Sequence, residues 1–367
     1  MAIDEKIIYV YDDFSEDSPC LIGKLYVGVI KGGETYSFEY DADWLAKNKM
    51  RVSLDPQLQP FTGRQFPTGK NIFGMFSDAS PDRWGRVLMN KRERILAGRE
   101  QRKPRKLHDS DYLLGVYDET RMGGIRFKLD PDGLFLSDDK ETATPPWTKL
   151  RTLEEASRNF ENDEKGITDE WLNQLIKPES KLEKFSKLGS TFLVRRFDRD
   201  GNRRIHFASA MTLLGKTDGA SAEDGTSYLD IVSFIKAFGS NPKADLMELW
   251  KRIVFNMAVT NTDDHLRNHA FLFADNGWKL SPLYDVNPVP YGDELSLLVD
   301  DRDNNISIEL AINTANRFGI QREVAENEAE EILTIVRNNW EKKAKEYDLS
   351  RGQIEYMRPA FDACYNK

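Results

Sequence analysis

Nine consecutive residues, Asn261-Thr262-Asp263-Asp264-His265-Leu266-Arg267-Asn268-His269, bring together two carboxylates, a guanidinium, two amides and two of the chain's four histidines. Asp263 and Asn268 stand at the D-x-x-x-x-N spacing in which an Asp orients an attacking hydroxyl and an Asn holds Mg²⁺. A further acid follows in Leu283-Tyr284-Asp285-Val286-Asn287-Pro288, where a second metal-holding carboxylate would belong. Phosphoryl transfer needs these parts: a carboxylate that positions the acceptor, and metal ions that bridge the phosphate oxygens. Arg267 adds a cation that can offset charge building on the group in flight.

The same residues admit plainer readings. Asp, Asn and His gather in polar turns for local reasons, and a single D-x-x-x-x-N match is a weak signal. His265 and His269, at i and i+4, would suit a zinc hydrolase if a carboxylate joined them. They lack the Glu neighbour of zinc-binding helices, and Ala270-Phe271-Leu272-Phe273 behind them reads as a strand, which would take the pair off one helix.

The elements that must position this segment are legible. In residues 245–260, Leu246, Leu249, Trp250, Ile253, Val254, Met257 and Ala258 keep the i, i+3, i+4 spacing of a buried helix face. After the polar segment, 270–273 and 278–281 read as a short hairpin leading to Asp285. A long helix, a polar loop, a hairpin and then an acid is the order of the catalytic half of a protein kinase. Residues 322–347 and 350–365 read as two closing helices.

The other half starts β-rich. Residues 7–11, 25–30 and 36–40 read as strands, the last two flanking a hairpin at Lys31-Gly32-Gly33-Glu34. Ser80 and Pro81 suit the start of a helix running to about Ala97, with Gly98 as its stop. Its polar face and the following loop are basic, from Arg86 through Lys91, Arg92 and Arg94 to Lys106. That face is either solvated or a docking surface for an acidic partner or a DNA backbone. Strands are expected at 112–116, 124–129 and 191–197, a linker at 136–146, short helices at 153–160 and 167–176, and a lead into helices at 204–214.

Composition bounds the classes. With 367 residues, 40% apolar and 31% charged, the chain fits two or three packed subdomains of ordinary globular make-up. A net charge of −9 argues against the whole chain being a nucleic-acid binder. Only two cysteines occur, Cys20 and Cys364, with no metal-ligand spacing, which fits a reducing compartment. No secretory signal or span-length apolar stretch is visible, so a cytoplasmic protein without membrane contact is expected.

Beyond these readings, an ordered set of motifs resembles the HipA family of kinase toxins. The set comprises Phe192-Leu193-Val194-Arg195-Arg196-Phe197-Asp198-Arg199, Arg204-Ile205-His206-Phe207-Ala208-Ser209-Ala210-Met211, Ser227-Tyr228-Leu229-Asp230, the segment from Asn261 to Asn268, and Leu280-Ser281-Pro282-Leu283-Tyr284-Asp285-Val286-Asn287-Pro288. In the first half, Phe76-Ser77-Asp78-Ala79-Ser80-Pro81-Asp82-Arg83-Trp84-Gly85 and Arg121-Met122-Gly123-Gly124-Ile125-Arg126-Phe127 resemble the family's N-terminal subdomain.

The resemblance implies an α+β chain: a β-rich N-terminal subdomain with a basic helix (1–140), a reduced kinase N-lobe (141–205) and a helical C-lobe (206–367). It implies an ATP- and Mg²⁺-dependent serine/threonine kinase with a protein substrate. Such a kinase is the toxin of a bacterial toxin–antitoxin pair, neutralised by a small DNA-binding, HipB-like antitoxin through which alone it meets DNA. Understood members act on translation, for example on an aminoacyl-tRNA synthetase. By motif match Asp263 is the catalytic base, with Arg267 beside it, and Asn268 and Asp285 are the metal ligands. The strand ending in Arg195 and Phe197 resembles the segment that holds the adenine. One departure stands out. Lys177-Pro178-Glu179-Ser180 runs straight into Lys181-Leu182-Glu183-Lys184-Phe185, where the family has a Gly-rich phosphate loop and a strand with an anchoring Lys. No lysine here stands in that motif, so a catalytically impaired member that only binds its antitoxin or operator complex is the alternative.

Overall fold

Alternation of apolar and polar residues gives each N-terminal strand one buried face. In the computed structural model, which describes residues 5–30, 33–48, 53–138, 180–186, 189–274 and 277–365, β1 (Glu5–Asp12), β2 (Cys20–Ile30), β3 (Gly33–Tyr40) and β4 (Ile125–Lys128) form one antiparallel sheet in the order β3-β2-β1-β4. The β2–β3 hairpin closes at Ile30 opposite Gly33, as its turn chemistry anticipates; Lys31 and Gly32 lie outside the described residues. Gly23 of β2 has no room for a side chain, because a Cβ would stand 2.2 Å from the Glu39 carbonyl oxygen. A short helix, α1 (Ala42–Asn48), follows β3, and Phe38 and Phe127 project from the sheet against Phe76 of a second short helix, α2 (Gly74–Asp78), with ring centroids 5.7 and 6.1 Å from that of Phe76.

Two helices depart from expectation. The basic helix, α3 (Arg83–Arg99), is capped by Asp82, whose carboxylate accepts from the Gly85 amide at 2.6 Å. Ser80 does not cap it, because the helix starts at Arg83, two residues beyond Pro81, and the Ser80 hydroxyl turns back to donate to the Phe76 carbonyl at 2.7 Å. An Asp at this position also gains from the helix dipole. Gly98 falls inside the helix rather than stopping it. Of residues 112–116, expected as a strand, the first four belong to α4 (Asp109–Gly115) and Val116 caps its end. The Asp111 carboxylate reaches back to accept from the His108 amide at 3.0 Å and starts a helix that the short apolar run did not announce.

Five arginines and three aspartates knit the rest of this unit together. Arg121 is fully buried and donates to four backbone carbonyls, those of Ala79, Leu113, Val116 and Leu136. Burial holds its guanidinium down at about 9, with Asp118 opposing the fall. Asp198, also buried, accepts from the Gly123 amide and from Arg196 and Arg199. Arg204 and Arg126 both reach Asp13 and Asp118. The residues that these bonds fix include most of the charged positions in the motifs at 121–127, 192–199 and 204–211.

β5 (Ser180–Ser186) and β6 (Gly189–Val194) form an antiparallel hairpin, so the strand expected over 191–197 ends before Arg195; the short strands β7 (Arg199–Asp200) and β8 (Arg203–Arg204) pair next, and β9 (Phe207–Ser209) follows. The helices expected at 153–160 and 167–176, and all but the start of the linker, lie outside the described residues. The chain divides into two compact units, Met1–Ala208 and Ser209–Lys367.

The second unit is mainly helical. Its axis is α7 (Pro242–Ala258), reached through α5 (Ala210–Leu213) and α6 (Tyr228–Phe238). Every apolar residue read onto the α7 face is buried, and the Trp250 indole donates to the Ala311 carbonyl at 2.8 Å. β10 (Ala270–Ala274) and β11 (Gly277–Leu280) make the expected hairpin. The rest is α8 (Ile308–Thr314), α9 (Arg322–Glu346) and α10 (Arg351–Met357). Pro359 turns the last expected helix into a 3₁₀ segment, Arg358–Cys364, since its ring cannot continue the α-helical ladder. The fold class is α+β, as read from the sequence. Among the described residues no helix is long and apolar enough to cross a membrane.

Candidate functional site

The site begins where α7 ends. Thr260 adopts φ 49°, a left-handed conformation costly for a β-branched residue, and this turns the chain out of the helix into the polar segment. Asp285, at the far side of the β10–β11 hairpin, is left-handed too, at φ 57°. α7 itself grips the hairpin's exit. Asp245 accepts from the Leu280 amide at 3.1 Å, and Arg252 donates to the Ser281 carbonyl at 2.6 Å.

Asn268 ties the two acid-bearing segments. Its side-chain amide donates to the Asp263 carbonyl at 3.1 Å and to the Asp285 carbonyl at 3.5 Å. With its nitrogen committed to those two carbonyls, Asn268 keeps its amide oxygen for another partner. Asp263 and Asp285 are exposed, whereas Asn268 is buried. The structure therefore brings Asp263, Asn268 and Asp285 to one place. Asp285 and Asn268 offer oxygen donors only, the set a hard cation such as Mg²⁺ takes.

Asp264, which the spacing argument passed over, is the buried hub of this segment. Its Oδ2 accepts from the Tyr228 hydroxyl at 2.5 Å and the Asn256 amide at 2.7 Å, and lies 2.8 Å from His269 Nε2. Burial pushes this carboxyl up, but His269 and the Tyr228 hydrogen bond outweigh burial and hold it below the usual carboxylate range. Burial and Asp264 together push the Tyr228 phenol far up, so it stays a donor. One sequence signal could have disclosed this hub. Asp245, Arg252 and Asn256 are all buried and lie in phase with the apolar stripe of α7, where polar residues are costly unless bonded.

The two histidines go to different surroundings. His269 is fully buried against Asp264, while His265 lines a cavity. Among the described residues no three His, Cys, Asp or Glu side chains group closely enough to hold a metal ion. The cavity, about 180 Å³, is bounded by residues 217–221, Asp263, His265 and Arg267. It is smaller than a typical small-molecule site and has room for about one side chain. Arg267 stands at its edge with Nε 3.3 Å from Asp218. Its own carbonyl accepts from the Tyr284 hydroxyl at 2.5 Å, a further tie between the two acid-bearing segments.

Arg195 and Phe197 belong to the first unit. Arg195 is exposed just beyond β6, and the Phe197 ring lies 6.2 Å from that of Phe207. On α3 and in the loop after it, ion pairs occupy some of the basic residues: Arg86 bonds Asp109, while Arg102 and Arg105 both meet Glu93 of the helix. Arg83, Lys91, Arg94 and Arg99 are exposed.

Comparisons with known proteins agree on one family. The model of the HipA-like C-terminal domain matches residues 174–340, and that of the HipA N-terminal domain matches residues 21–104. A Sinorhizobium fredii protein named "Putative kinase Y4mE" is 35% identical over 122 residues, 30% of this chain and 29% of that protein. A Haemophilus influenzae protein named "Putative kinase" is 36% identical over 109 residues, 27% of this chain and 32% of that one. The matches thus span less than a third of each of these curated relatives. The HipA of Shewanella oneidensis MR-1, solved with HipB and its operator DNA, superposes with a TM-score of 0.63 at 16% identity. That superposition covers 97% of this chain and 96% of the other, and it speaks to the fold.

Proposed function

The chain belongs to the HipA-like family, and from that premise we propose that it transfers the γ-phosphate of ATP to a serine or threonine of a protein target. One observation carries the proposal: the Asn268 side chain bonds the carbonyls of both Asp263 and Asp285, which unites an exposed carboxylate with an oxygen-donor pair. In this reading Asp263 orients the acceptor hydroxyl and takes its proton. Asn268 Oδ1 and the Asp285 carboxylate would hold Mg²⁺, whose charge would offset that of the phosphate oxygens. Arg267, at the edge of the cavity beside Asp263, offsets charge on the transferred group. Arg195 and Phe197 are assigned to the adenine side. We assign the regulating partner to a HipB-like antitoxin, since the solved neighbour was captured with HipB, and operator DNA is met only through that partner. The exposed cations of α3 offer it a surface.

Calorimetry with Mg·ATP tests the reading. The wild-type chain should bind, and Asp285→Ala should abolish binding. A wild-type chain that binds no nucleotide would instead support the impaired, antitoxin-binding alternative.

A further inference from the structure

A chain of amides, two of them buried, runs from the core of the second unit to the carboxylate of Asp285. Asn256, in the last turn of α7, is fully buried and uses both ends of its side chain. Its nitrogen donates to Asp264 at 2.7 Å, and its oxygen accepts from the Asn261 side chain at 3.1 Å. Asn261, also fully buried, accepts on its own oxygen from the Asn287 backbone amide at 3.4 Å. The Asn287 side chain then donates to Asp285 Oδ1 at 3.0 Å. Asp264, next in the chain to Asp263, anchors the other end through Tyr228 and His269.

We infer that Asn256, Asn261, Asn287 and Asp264 are positioning residues that set Asp263 and Asp285 at a fixed separation, with α7 as the common support; the inference rests on the phosphotransfer reading above. A buried ionised carboxylate and two buried amides cost several kcal/mol unless every hydrogen-bonding group is satisfied. An apolar trio could fill the same space without that cost, but it could not reach into the loop and fix a carboxylate's direction. Asp285 gains most from the arrangement. It is exposed, it sits in a left-handed backbone conformation, and the Asn287 amide fixes one of its oxygens while leaving the other for a cation. Outer partners of this kind orient a metal ligand, and their loss typically lowers metal affinity about 10- to 100-fold.

Asn287 is exposed, so Asn287→Ala should fold normally. The probe is Mn²⁺ with a non-hydrolysable ATP analogue, with free Mn²⁺ read by electron paramagnetic resonance. Asn287→Ala should weaken Mn²⁺ binding about tenfold with an unchanged melting temperature, and Asp285→Ala should abolish it. A second measurement needs no nucleotide. In Asn261→Ala, amide hydrogen exchange should accelerate across 262–268 and 285–287 while the amides of α9 keep their protection. Wild-type Mn²⁺ affinity in Asn287→Ala, or unchanged exchange in Asn261→Ala, would overturn the inference. If the wild-type chain itself binds no Mn²⁺–nucleotide, the phosphotransfer reading fails alone, and the exchange experiment still decides whether the amide chain holds the two segments.

Discussion

His206 shows how single side chains set the conditions under which the first unit holds together. It is 2% exposed and its ring stacks on Phe14 at 4.6 Å. Burial drives its pKa down to about 4, only partly opposed by Asp12. The folded unit therefore keeps this ring neutral, whereas the unfolded chain protonates it near the ordinary histidine value of 6.5. A depressed pKa gives stability that is complete above the unfolded value and is lost as pH falls through the window from 6.5 to 4. The loss should reach about 3 kcal/mol at the lower end. Urea unfolding followed at pH 7, 5.5 and 4.5 checks this, and His206→Phe should flatten the decline in that window. At the same scale, the roles of Asp263, Asn268 and Asp285 could be argued from residue type and spacing alone. Asp264 could not, because adjacent aspartates look alike until burial separates one that faces solvent from one that accepts three hydrogen bonds.

α7 is where element and site meet. Its apolar stripe was legible because a period of 3.6 residues needs no tertiary information. The polar residues in phase with that stripe read as interruptions, although they carry the hold on the hairpin. Arg252 is 2% exposed and bonds both Glu248 and the Ser281 carbonyl, a few residues before Asp285. Arg252→Met fills the space but leaves that carbonyl unpaired, which should cost about 2 kcal/mol in urea unfolding. It should also weaken Mg·ATP binding in calorimetry. A stability loss with unchanged affinity would mean that α7 supports the fold without aligning the site. The misread elements have local causes. α4 begins at His108, not a usual N-cap residue, whose amide donates to the Asp111 carboxylate, and the last helix breaks at Pro359, whose ring ends the α-helical ladder.

At the scale of the whole molecule, the chain divides into two units that solve different problems. The first gathers loops around guanidinium groups; the second gathers helices around α7. Arg121 ties carbonyls from four separate positions of the first unit, and Arg121→Met removes all four hydrogen bonds at once, although the Val116 carbonyl keeps the Ser137 amide at 2.9 Å. The expected loss is at least about 3 kcal/mol, confined to that unit. Amide exchange should then accelerate through β1 to β4 while α7 remains protected, and equal acceleration in both units would mean that they unfold as one. The arginine-bearing motifs that first suggested the family are for the most part occupied in this way, as structure rather than chemistry. Sequence spacing cannot separate the two uses, since a buried ion pair and a substrate clamp ask for the same residue types.

The most direct test of the account is transfer of label from γ-labelled ATP to the proteins of a bacterial lysate, with Asp263→Ala as the blank. The account predicts Mg²⁺-dependent labelling by the wild-type chain that falls about 10³-fold in the variant, the loss expected for a positioned base. Labelling that survives Asp263→Ala unchanged would contradict the assignment of the phosphotransfer centre to Asp263, Asn268 and Asp285.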